Sequence, residues 1–445
     1  MSTTLNISGG ADIGNGFVKT VLENTATGVR DVIDIPSSVA VMTRPNPLPT
    51  ADEKAVAQLL GEDGQGGDYF NELDASFNTP LVPDTYRRVF GLRSLTADGA
   101  FEEFDTAGRA SKAKQPLSKV LTLGLYAAKA LKDYVREHGA LPTEELHVTA
   151  RAAIALPVGE FLRHRESYAA EFLRDQGHMV VIENFETKVV VRIRFVDVQV
   201  LAEGASAQYA IVAKGTPLMD AMLADVRSRS EEQRAALEGI TAQDVLGATN
   251  TIGIDIGDGT AGIISFVGGK FNVDASRSFD KGYGSVLTAA IKAMEDQGLE
   301  SGFTSRKDLA EFLRREPSAL KRAFHTRVKQ FVDQEAQFYA HEVAEQLGAV
   351  LRTVGATTEV GFVYGGGSGP IKDVLYPALL AKVQEMNTIA AFPVLYLDAS
   401  YSRHLNREGL FIAAKTVEAR ALAATAEKSK SAGHTARRTT KKEAA

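Results

Sequence analysis

Apolar residues are arranged along the chain in two ways, as short runs and as longer segments with helical spacing. The short runs are rich in β-branched residues and predict strands over residues 5–13, 17–22, 29–35, 146–156, 179–184, 188–201, 251–256, 261–267, 270–276, 360–364 and 394–397. The longer segments predict helices over residues 116–138, 161–176, 202–213, 284–297, 305–315 and 319–351, with two further helices beginning at 371 and 407. Strands that alternate with helices in this way predict an α/β fold.

Three regions depart from this pattern. Residues 43–115 contain prolines, a glycine cluster at 61–67 and scattered aromatic residues without a sustained period, which predicts an inserted subdomain with long loops and one short helical piece at 56–60. Residues 214–249 are helical and strongly charged in the middle, which predicts a surface insertion built on a solvated helix. From about residue 418 the chain lacks apolar anchors, and we expect disorder there.

Length and composition limit the classes of protein that fit. A chain of 445 residues is long for one hydrophobic core, so we expect two or more domains. Hydrophobic residues make up 44% of the chain and charged residues 24%, as in soluble globular proteins. The absence of cysteine excludes disulfides and thiolate chemistry. Residues 1–10 lack the pattern of a signal peptide and no apolar run is long enough to cross a bilayer, so we predict a cytoplasmic protein with no membrane partner.

The net charge is unevenly distributed. Residues 426–445 contain six Lys or Arg and two Glu, so the rest of the chain is more acidic than the overall charge of −6 indicates. An acidic body does not favour direct binding of duplex DNA. The basic tail could contact DNA, a DNA-bound adaptor or an acidic face of a neighbouring subunit, or could simply add solubility.

One five-residue pattern occurs twice, as residues 12–16 (Asp-Ile-Gly-Asn-Gly) and residues 255–259 (Asp-Ile-Gly-Asp-Gly). Asn-Gly or Asp-Gly between apolar runs predicts a two-residue hairpin turn with positive φ at both central positions. Each turn follows a carboxylate and offers backbone N–H groups that can face an anion. A single copy is usually only turn chemistry. Two copies in matching contexts favour a duplicated site that clamps a polyphosphate between two halves of the chain.

A glycine-rich stretch forms the second candidate site. The predicted strand 360–364 runs directly into Gly365-Gly366-Gly367-Ser368-Gly369, and a predicted helix follows. Three consecutive glycines are entropically costly for a plain turn, so we favour the approach of a nucleotide's phosphate or ribose to the backbone at the start of a helix. No Gly-Lys-Ser/Thr follows, which excludes a Walker A loop.

Several side chains fit a phosphate site, although each also has a structural interpretation. Lys19 follows the first turn, either as an exposed strand lysine or as a cation that neutralises a transferred phosphoryl group. Asp12 and Asp255 could hold Mg²⁺, mainly through water, and Thr260 could donate to a phosphate oxygen. Glu203 lies between a predicted strand and helix. Either its negative charge stabilises the first turn of that helix through the helix dipole, or it orients water for attack on a γ-phosphate.

Taken in order, these motifs resemble the actin superfamily of ATPases. Residues 12–19 and 255–262 resemble its two phosphate motifs, 363–369 its adenosine motif, and 200–205 and 406–414 its two connecting helices. Within the superfamily the chain is most similar to the bacterial ParM-type, plasmid-segregating actins. This similarity rests on residues 155–161, on 279–287 with Lys281 and Gly282, and on 195–207, which place the catalytic glutamate of that branch at Glu203.

The resemblance implies an actin-like fold with two duplicated α/β domains, mixed sheets, a central nucleotide cleft and inserted subdomains. The first domain would span residues 1–213, with the insertion at about 43–115. A helical insertion or linker would follow at 214–249. The second domain would span 250–417, with a helical subdomain at about 281–357, before the basic tail 418–445.

The resemblance also implies a function. The protein would hydrolyse ATP with Mg²⁺, assemble into filaments and serve plasmid segregation through a DNA-binding adaptor on a centromere-like site, without sequence-specific DNA contacts of its own. GTP stays open as an alternative, because nothing in the glycine stretch recognises a base edge. The catalytic residues would be Asp12, Lys19, Glu203 and Asp255. The nucleotide-binding residues would be Gly14, Asn15, Gly16, Lys19, Gly257, Asp258, Gly259, Thr260, Lys281, Gly282, Gly365, Gly366, Gly367 and Ser368.

Two other functions are compatible with the same motifs. One is a small-molecule kinase of this superfamily, whose substrate base could lie within residues 43–115. The other is an actin-fold adaptor or chaperone-like ATPase. A response to ATP without a second substrate separates filament assembly from the kinase.

Overall fold

The computed structural model describes residues 3–43, 49–61, 68–105, 111–229, 231–303, 305–354, 357–386, 392–397, 399–416 and 418–419. The strands of the first half are β1 Thr4–Ile13, β2 Phe17–Asn24, β3 Arg30–Pro36, β4 Ser38–Met42, β5 Asp74–Asn78, β6 Arg87–Phe90, β7 Ala100–Glu103, β8 Leu146–Leu156, β9 His178–Ile182 and β10 Val189–Ala202. Its helices are α1 Asp52–Leu60, α2 Gly91–Ser94, α3 Pro116–His138 and α4 Val158–Phe172, with 3-10 turns at Tyr69–Asn71 and Lys112–Lys114.

The second half is richer in helix. Its helices are α5 Ala205–Arg229, α6 Glu231–Ala236, α7 Ala242–Gly247, α8 Tyr283–Asp296, α9 Arg306–Arg314, α10 Arg322–Val354, α11 Lys372–Met386 and α12 Ala399–Ser402. Its strands are β11 Thr251–Ile256, β12 Ala261–Val267, β13 Lys270–Phe279, β14 Val360–Tyr364 and β15 Val394–Tyr396. Residues 405–416 are also helical and are called the terminal helix below. No helix in the described ranges is long and apolar enough to cross a membrane.

The two sheets repeat one topology. The strand order β3-β2-β1-β8-β10 of the first sheet corresponds to β13-β12-β11-β14-β15 in the second. In each unit the first three strands pair antiparallel and the next two pairings are parallel. The predicted duplication of an α/β unit with a mixed sheet is therefore confirmed at the level of whole sheets. In each unit a helix follows the last parallel strand, which is α5 in the first unit and, after the short α12, the terminal helix in the second.

The region 43–115 contains more regular structure than its sequence indicates. The predicted helical piece is confirmed as part of α1, but the expectation of long loops is wrong for much of the rest. Strands β5, β6 and β7, together with β4, extend the first sheet beyond β9 to ten strands. Each of these strands has only four or five residues, which is too short to show a period of two.

Residues 214–249 do not form a solvated surface helix. Helix α5 kinks at Gly215, where φ is 66°, and continues through Pro217. Beyond the kink, Met219, Met222 and Leu223 are buried in one cluster with side chains of β14 and β15. The helical prediction is confirmed, but the predicted exposure is wrong, because apolar residues among the charges cover the outer face of the second sheet.

A buried cluster of charges joins α3 to β3. The Lys129 ammonium is fully buried and donates to Asp31 at 2.9 Å and Asp133 at 2.7 Å. Arg136 adds two further bonds to Asp31 and one to Asp133. These cations hold the pKa of Asp31 well below its ordinary value although burial acts in the opposite direction. Removal of Lys129 would leave the two buried carboxylates of Asp31 and Asp133 with one fewer compensating cation.

We therefore expect Lys129→Met to lower the free energy of unfolding by about 3 kcal/mol or more, the cost of breaking a buried ion pair. Lys329→Met is the matched control. Lys329 also contacts an aspartate four residues ahead, at 2.6 Å, but its side chain is 58% exposed, so its loss should cost less than about 1 kcal/mol. Denaturant unfolding of both variants measures the difference. Equal effects would show that the buried cluster does not stabilise the fold.

The helices that connect the two domains cross in close contact. A Cβ at Gly409 of the terminal helix would clash with the backbone oxygen of Ser206 in α5. Asn406 strengthens the crossing, since its Oδ1 accepts from the Gly204 N–H at 3.1 Å and from the Ser206 hydroxyl at 3.0 Å. Any side chain at Gly409 therefore forces the two helices apart.

Gly409→Ala should destabilise the protein by about 1–3 kcal/mol, the usual cost of overpacking. Gly348→Ala in α10 is the control, because a Cβ there would meet only the side chain of Lys382 and Arg352. The control should change stability by less than about 1 kcal/mol, since alanine favours a helix over glycine. Thermal unfolding compares the two, and a Gly409→Ala variant as stable as the control would contradict the close crossing.

Candidate functional site

The two repeated pentapeptides form matching hairpins. Gly14 N–H donates to the Phe17 oxygen at 3.0 Å, and Gly257 N–H donates to the Thr260 oxygen at 2.9 Å. The predicted hairpins are confirmed, but the prediction of positive φ is wrong, because none of residues 14–17 or 257–260 has it. The reason lies in the first glycine of each turn. Its carbonyl accepts a hydrogen bond from outside the turn, from Ser37 Oγ in the first turn and from Tyr283 N–H in the second. Each turn is therefore closed by the single bond from the glycine N–H, and its loop is wider than that of a two-residue hairpin.

The tips of the two turns meet across the cleft between the domains. A Cβ at Gly259 would clash with the Asn15 side chain, and a Cβ at Gly16 would lie 3.2 Å from an Asp258 carboxylate oxygen. Below the tips lies a cavity of about 250 Å³. The predicted site residues that line it are Asp12, Gly14, Asn15, Gly16, Lys19, Glu203, Asp255, Gly257, Asp258, Gly259, Thr260, Gly365, Gly366 and Gly367.

Two aspartates enter the cavity from equivalent strands. Asp12 and Asp255 lie near the ends of β1 and β11, and each is 8% exposed. Burial raises the pKa of Asp255 to about 7, and the nearby carboxylates of Asp12 and Glu203 act in the same direction. A bond from Asn406 Nδ2 at 2.7 Å and the charge of Lys19 oppose this rise. The site thus concentrates negative charge that a bound cation would neutralise.

Lys19 is placed beside this charge by strand register. It lies directly opposite Asp12 in the antiparallel β1–β2 pair, so both side chains project from the same face of the sheet. Lys19 lines the cavity and its ammonium would lie 3.9 Å from a Cβ at Gly366. The lysine is therefore part of the cleft and is not simply an exposed residue of a strand.

Glu203 lines the cavity and lies between β10 and α5 in the chain. Its Oε1 accepts from Lys112 Nζ at 2.6 Å and its Oε2 accepts from the Thr260 hydroxyl at 3.4 Å. Burial raises the pKa of Glu203, while Lys112 lowers it. The carboxylate is consequently held by one donor from each domain. Its position between the two sheets fits a group that orients a water molecule.

The glycine stretch packs against the second turn as well as lining the cavity. Gly365 has a φ of 93°, and a Cβ there would clash with the carboxylate of Asp255. The glycines therefore let the backbone approach the acidic site closely. Ser368 lies behind them, fully buried, with its hydroxyl donating to the Gly365 oxygen at 2.8 Å.

Two other predicted residues also lie away from the cavity lining. Lys281 is 55% exposed and contacts Glu342 at 2.8 Å. Gly282 packs behind the second turn, where a Cβ would lie 2.5 Å from the backbone oxygens of Gly257 and Asp258. In this structure Gly282 supports the turn, and Lys281 points to the helical part of the second domain.

The cavity lining includes residues that sequence reasoning did not select as site residues. The first turn of α9 reaches the cleft, and Arg306 Nη2 lies 3.0 Å from Asp258. The periodicity predicted this helix but carried no signal for the direction of its first turn. Asn406 and Tyr283 lie within stretches that carried the resemblance, although neither had an assigned role. The unselected residues are Phe17, Lys112, Pro157, Val158, Ala261, Gly262, Ser278, Tyr283, Leu287, Arg306, Lys307, Ala310, Ser402, Arg403 and Asn406.

Comparison with known proteins gives similarity at the level of structure. No protein-family model matches the chain, and no curated protein matches its sequence. The actin-like protein Alp7A superposes with a TM-score of 0.58 at 14% identity, over 96% of this chain and 100% of Alp7A. A non-polymerisable quadruple mutant of pCBH ParM gives 0.55 at 14% identity, over 93% and 100% of the two chains. Bacillus thuringiensis ParM with ATP gives 0.52 at 15% identity, over 93% and 99%.

These matches extend over nearly the whole of each chain. At such low identity they establish the fold and do not by themselves establish an activity. The expected actin-like fold of the ParM type is therefore confirmed.

Proposed function

We propose that this protein is an actin-like ATPase that assembles into filaments when it binds nucleotide. The observation that carries the proposal is the pair of equivalent hairpin turns, which meet over one cavity containing Asp12, Lys19, Glu203 and Asp255. A duplicated phosphate clamp suits a nucleoside triphosphate that bridges two domains. Among the structural neighbours, Bacillus thuringiensis ParM was solved with ATP.

The donor set fits a magnesium ion beside the triphosphate. In the described ranges no group of three or more His, Cys, Asp or Glu side chains could hold a metal by itself. Mg²⁺ uses few protein carboxylates and keeps several waters, so Asp12 and Asp255 together with phosphate oxygens suit it. Burial raises the pKa of Asp255, the carboxylates of Asp12 and Glu203 add to this rise, and a bound cation would oppose it. When bound, Mg²⁺ would neutralise part of the charge on the phosphates.

The protein's own residues account for the rest of the reaction. Glu203 accepts a hydrogen bond from the attacking water and orients it toward the γ-phosphorus. A new P–O bond forms to water as a proton passes from the water to Glu203 and the bond to the β-phosphate oxygen breaks, leaving ADP and inorganic phosphate. Lys19 stabilises the charge on the phosphoryl group, and the Thr260 hydroxyl donates to a phosphate oxygen. The glycine stretch and the cavity wall from α8 and α9 enclose the nucleoside.

Assembly follows from coupling between the two domains. A triphosphate that touches both turns holds the domains in one relative orientation, and hydrolysis removes the bridging γ-phosphate. A head-to-tail contact between subunits in that orientation produces an open filament when its rotation does not close a ring. We further propose a cytoplasmic role in plasmid segregation, with a DNA-binding adaptor as partner. The proposed domain limits are 1–213 and 250–417, joined by 214–249. The basic tail 418–445, proposed as a contact for the adaptor, lies outside the described residues from position 420 onward.

A phosphate-release assay tests the enzymatic part of this proposal. The purified chain with Mg²⁺ and ATP should release phosphate without any second substrate, and GTP in parallel tests the choice of base. Turnover that requires an added sugar or carboxylic acid would instead identify a kinase. Nucleotide binding without turnover would favour the adaptor or chaperone-like alternative.

A further inference from the structure

A single carboxylate anchors the short segment before α3 beside the cleft. Glu160, in the first turn of α4, accepts from the backbone N–H groups of Lys112 and Ala113, both at 2.9 Å. It also accepts from the Ser111 hydroxyl at 2.8 Å. Three bonds to one carboxylate fix the backbone of this segment, and they are charge-assisted, which makes each stronger than a neutral bond.

This fixed backbone aims one side chain at the cleft. Lys112 is 6% exposed, and its ammonium lies 2.6 Å from Glu203 Oε1 and 5.9 Å from the centre of the Phe104 ring. The neighbouring Lys114 belongs to the same 3-10 turn but is exposed. A buried ammonium is costly unless it is paired. Burial of Lys112 therefore depends on its pairing with Glu203, the carboxylate proposed to orient water.

We infer that Lys112 is a positioning residue for ATP hydrolysis. It fixes the orientation of the Glu203 carboxylate and keeps that carboxylate ionised, and Glu160 holds Lys112 in place. This inference rests on the proposed function of Glu203. Lys112 binds one carboxylate oxygen and Thr260 the other, so rotation of the Glu203 carboxylate is restricted from both domains. The arrangement leaves Glu203 able to accept a proton while its charge is compensated.

The local charges show why this lysine matters for Glu203. Burial favours the neutral form of Glu203, and the carboxylates of Asp12 and Glu160 act in the same direction. Lys112 is the nearby cation that opposes them. Without it, Glu203 would be protonated at higher pH and could no longer accept a proton from water. A change at Lys112 should therefore affect the chemical step more than the binding of nucleotide.

Steady-state kinetics of phosphate release by the full chain, measured from pH 6 to 9, test the inference. Lys112→Met removes the charge at similar length, and we expect kcat to fall by about tenfold to a hundredfold, the order of loss that a misplaced reacting group causes. KM should stay within about twofold, and the acid limb of the kcat profile should move to higher pH. Lys112→Arg keeps the charge and should keep the position of that limb. Lys114→Met is the matched control and should behave as wild type.

The possible results separate this inference from the proposed function. Wild-type protein without ATP turnover would contradict the proposed function itself. If the wild-type protein hydrolyses ATP and Lys112→Met has the same kcat and pH profile, the inference is overturned and the proposed function stands. A rise of KM with unchanged kcat would also overturn it, since it would show that Lys112 binds nucleotide. Thermal unfolding and binding of fluorescent ATP confirm that each variant is folded, and Lys112→Arg provides the comparison if Lys112→Met is unstable.

Discussion

Glu203→Gln should reduce the rate of phosphate release by about a hundredfold to a thousandfold while nucleotide affinity changes little. A positioned general base commonly contributes a factor of this size. Glutamine keeps the volume of the side chain and one acceptor oxygen, but it cannot take a proton from water. The carboxylate lines the cavity and contacts Lys112 and Thr260, and we expect its loss to affect the reacting end of the nucleotide. Single-turnover phosphate release and equilibrium binding of ATP measure the two effects separately.

Glu145→Gln is a suitable control for that experiment. Glu145 is also an ion-paired glutamate, 2.5 Å from Arg192, but it lies before β8, outside the residues that line the cavity. This variant should release phosphate at the wild-type rate. If Glu203→Gln did so too, Glu203 would have no part in the chemistry, and the inference about Lys112 would lose its basis.

Asp255→Asn should have opposite effects on stability and on nucleotide binding. In the folded protein the pKa of Asp255 is raised to about 7, whereas an ordinary aspartate titrates near 3.8. The folded state therefore holds a proton that the unfolded state has lost between these values, and stability falls as pH rises through this window. Above pH 7 the full cost of the buried charge is present. Asparagine carries no charge and avoids this cost.

We expect nucleotide-free Asp255→Asn to be more stable than wild type by about 2–4 kcal/mol at pH 8, with a smaller difference at pH 5. Binding of Mg²⁺ and ATP should weaken at least tenfold, because one of two acidic groups that face the phosphate site is lost. Denaturant unfolding at both pH values and nucleotide titration provide the measurements. A variant less stable than wild type at pH 8 would show that the ionised carboxylate stabilises the empty cleft.

The sequence predicted those parts of the site that local chemistry determines. The repeated turns, the glycine stretch and Glu203 each lie at a junction between an apolar strand and a turn or helix, and such junctions are visible in the chain itself. The order of these junctions also predicted the duplicated sheets. The backbone of the turns was predicted less well, because the carbonyls of Gly14 and Gly257 bind Ser37 and Tyr283, from outside the turns.

The parts that could not be predicted depend on contacts between distant segments. Lys112 precedes Glu203 by 91 positions, and the two meet only because α4 presents Glu160 to the segment before α3. The burial of residues in the segment 214–249 also depends on the sheet that they cover, since Met219 and Met222 are buried in one cluster with side chains of β14 and β15. Short strands such as β6 and β7 acquire their structure by pairing with an existing sheet, and four residues carry too little pattern to show this.

Electron microscopy of the purified full chain, with Mg²⁺ and ATP, with Mg²⁺ and ADP, and without nucleotide, is the decisive test of nucleotide-dependent assembly. The duplicated clamp couples a bound triphosphate to the orientation of two domains, so we expect filaments with ATP that are sparse or absent in the other two samples. Glu203→Gln should give filaments that persist, because the triphosphate is retained. Single particles in all three samples, at protein concentrations where ATP is bound, would contradict nucleotide-dependent assembly.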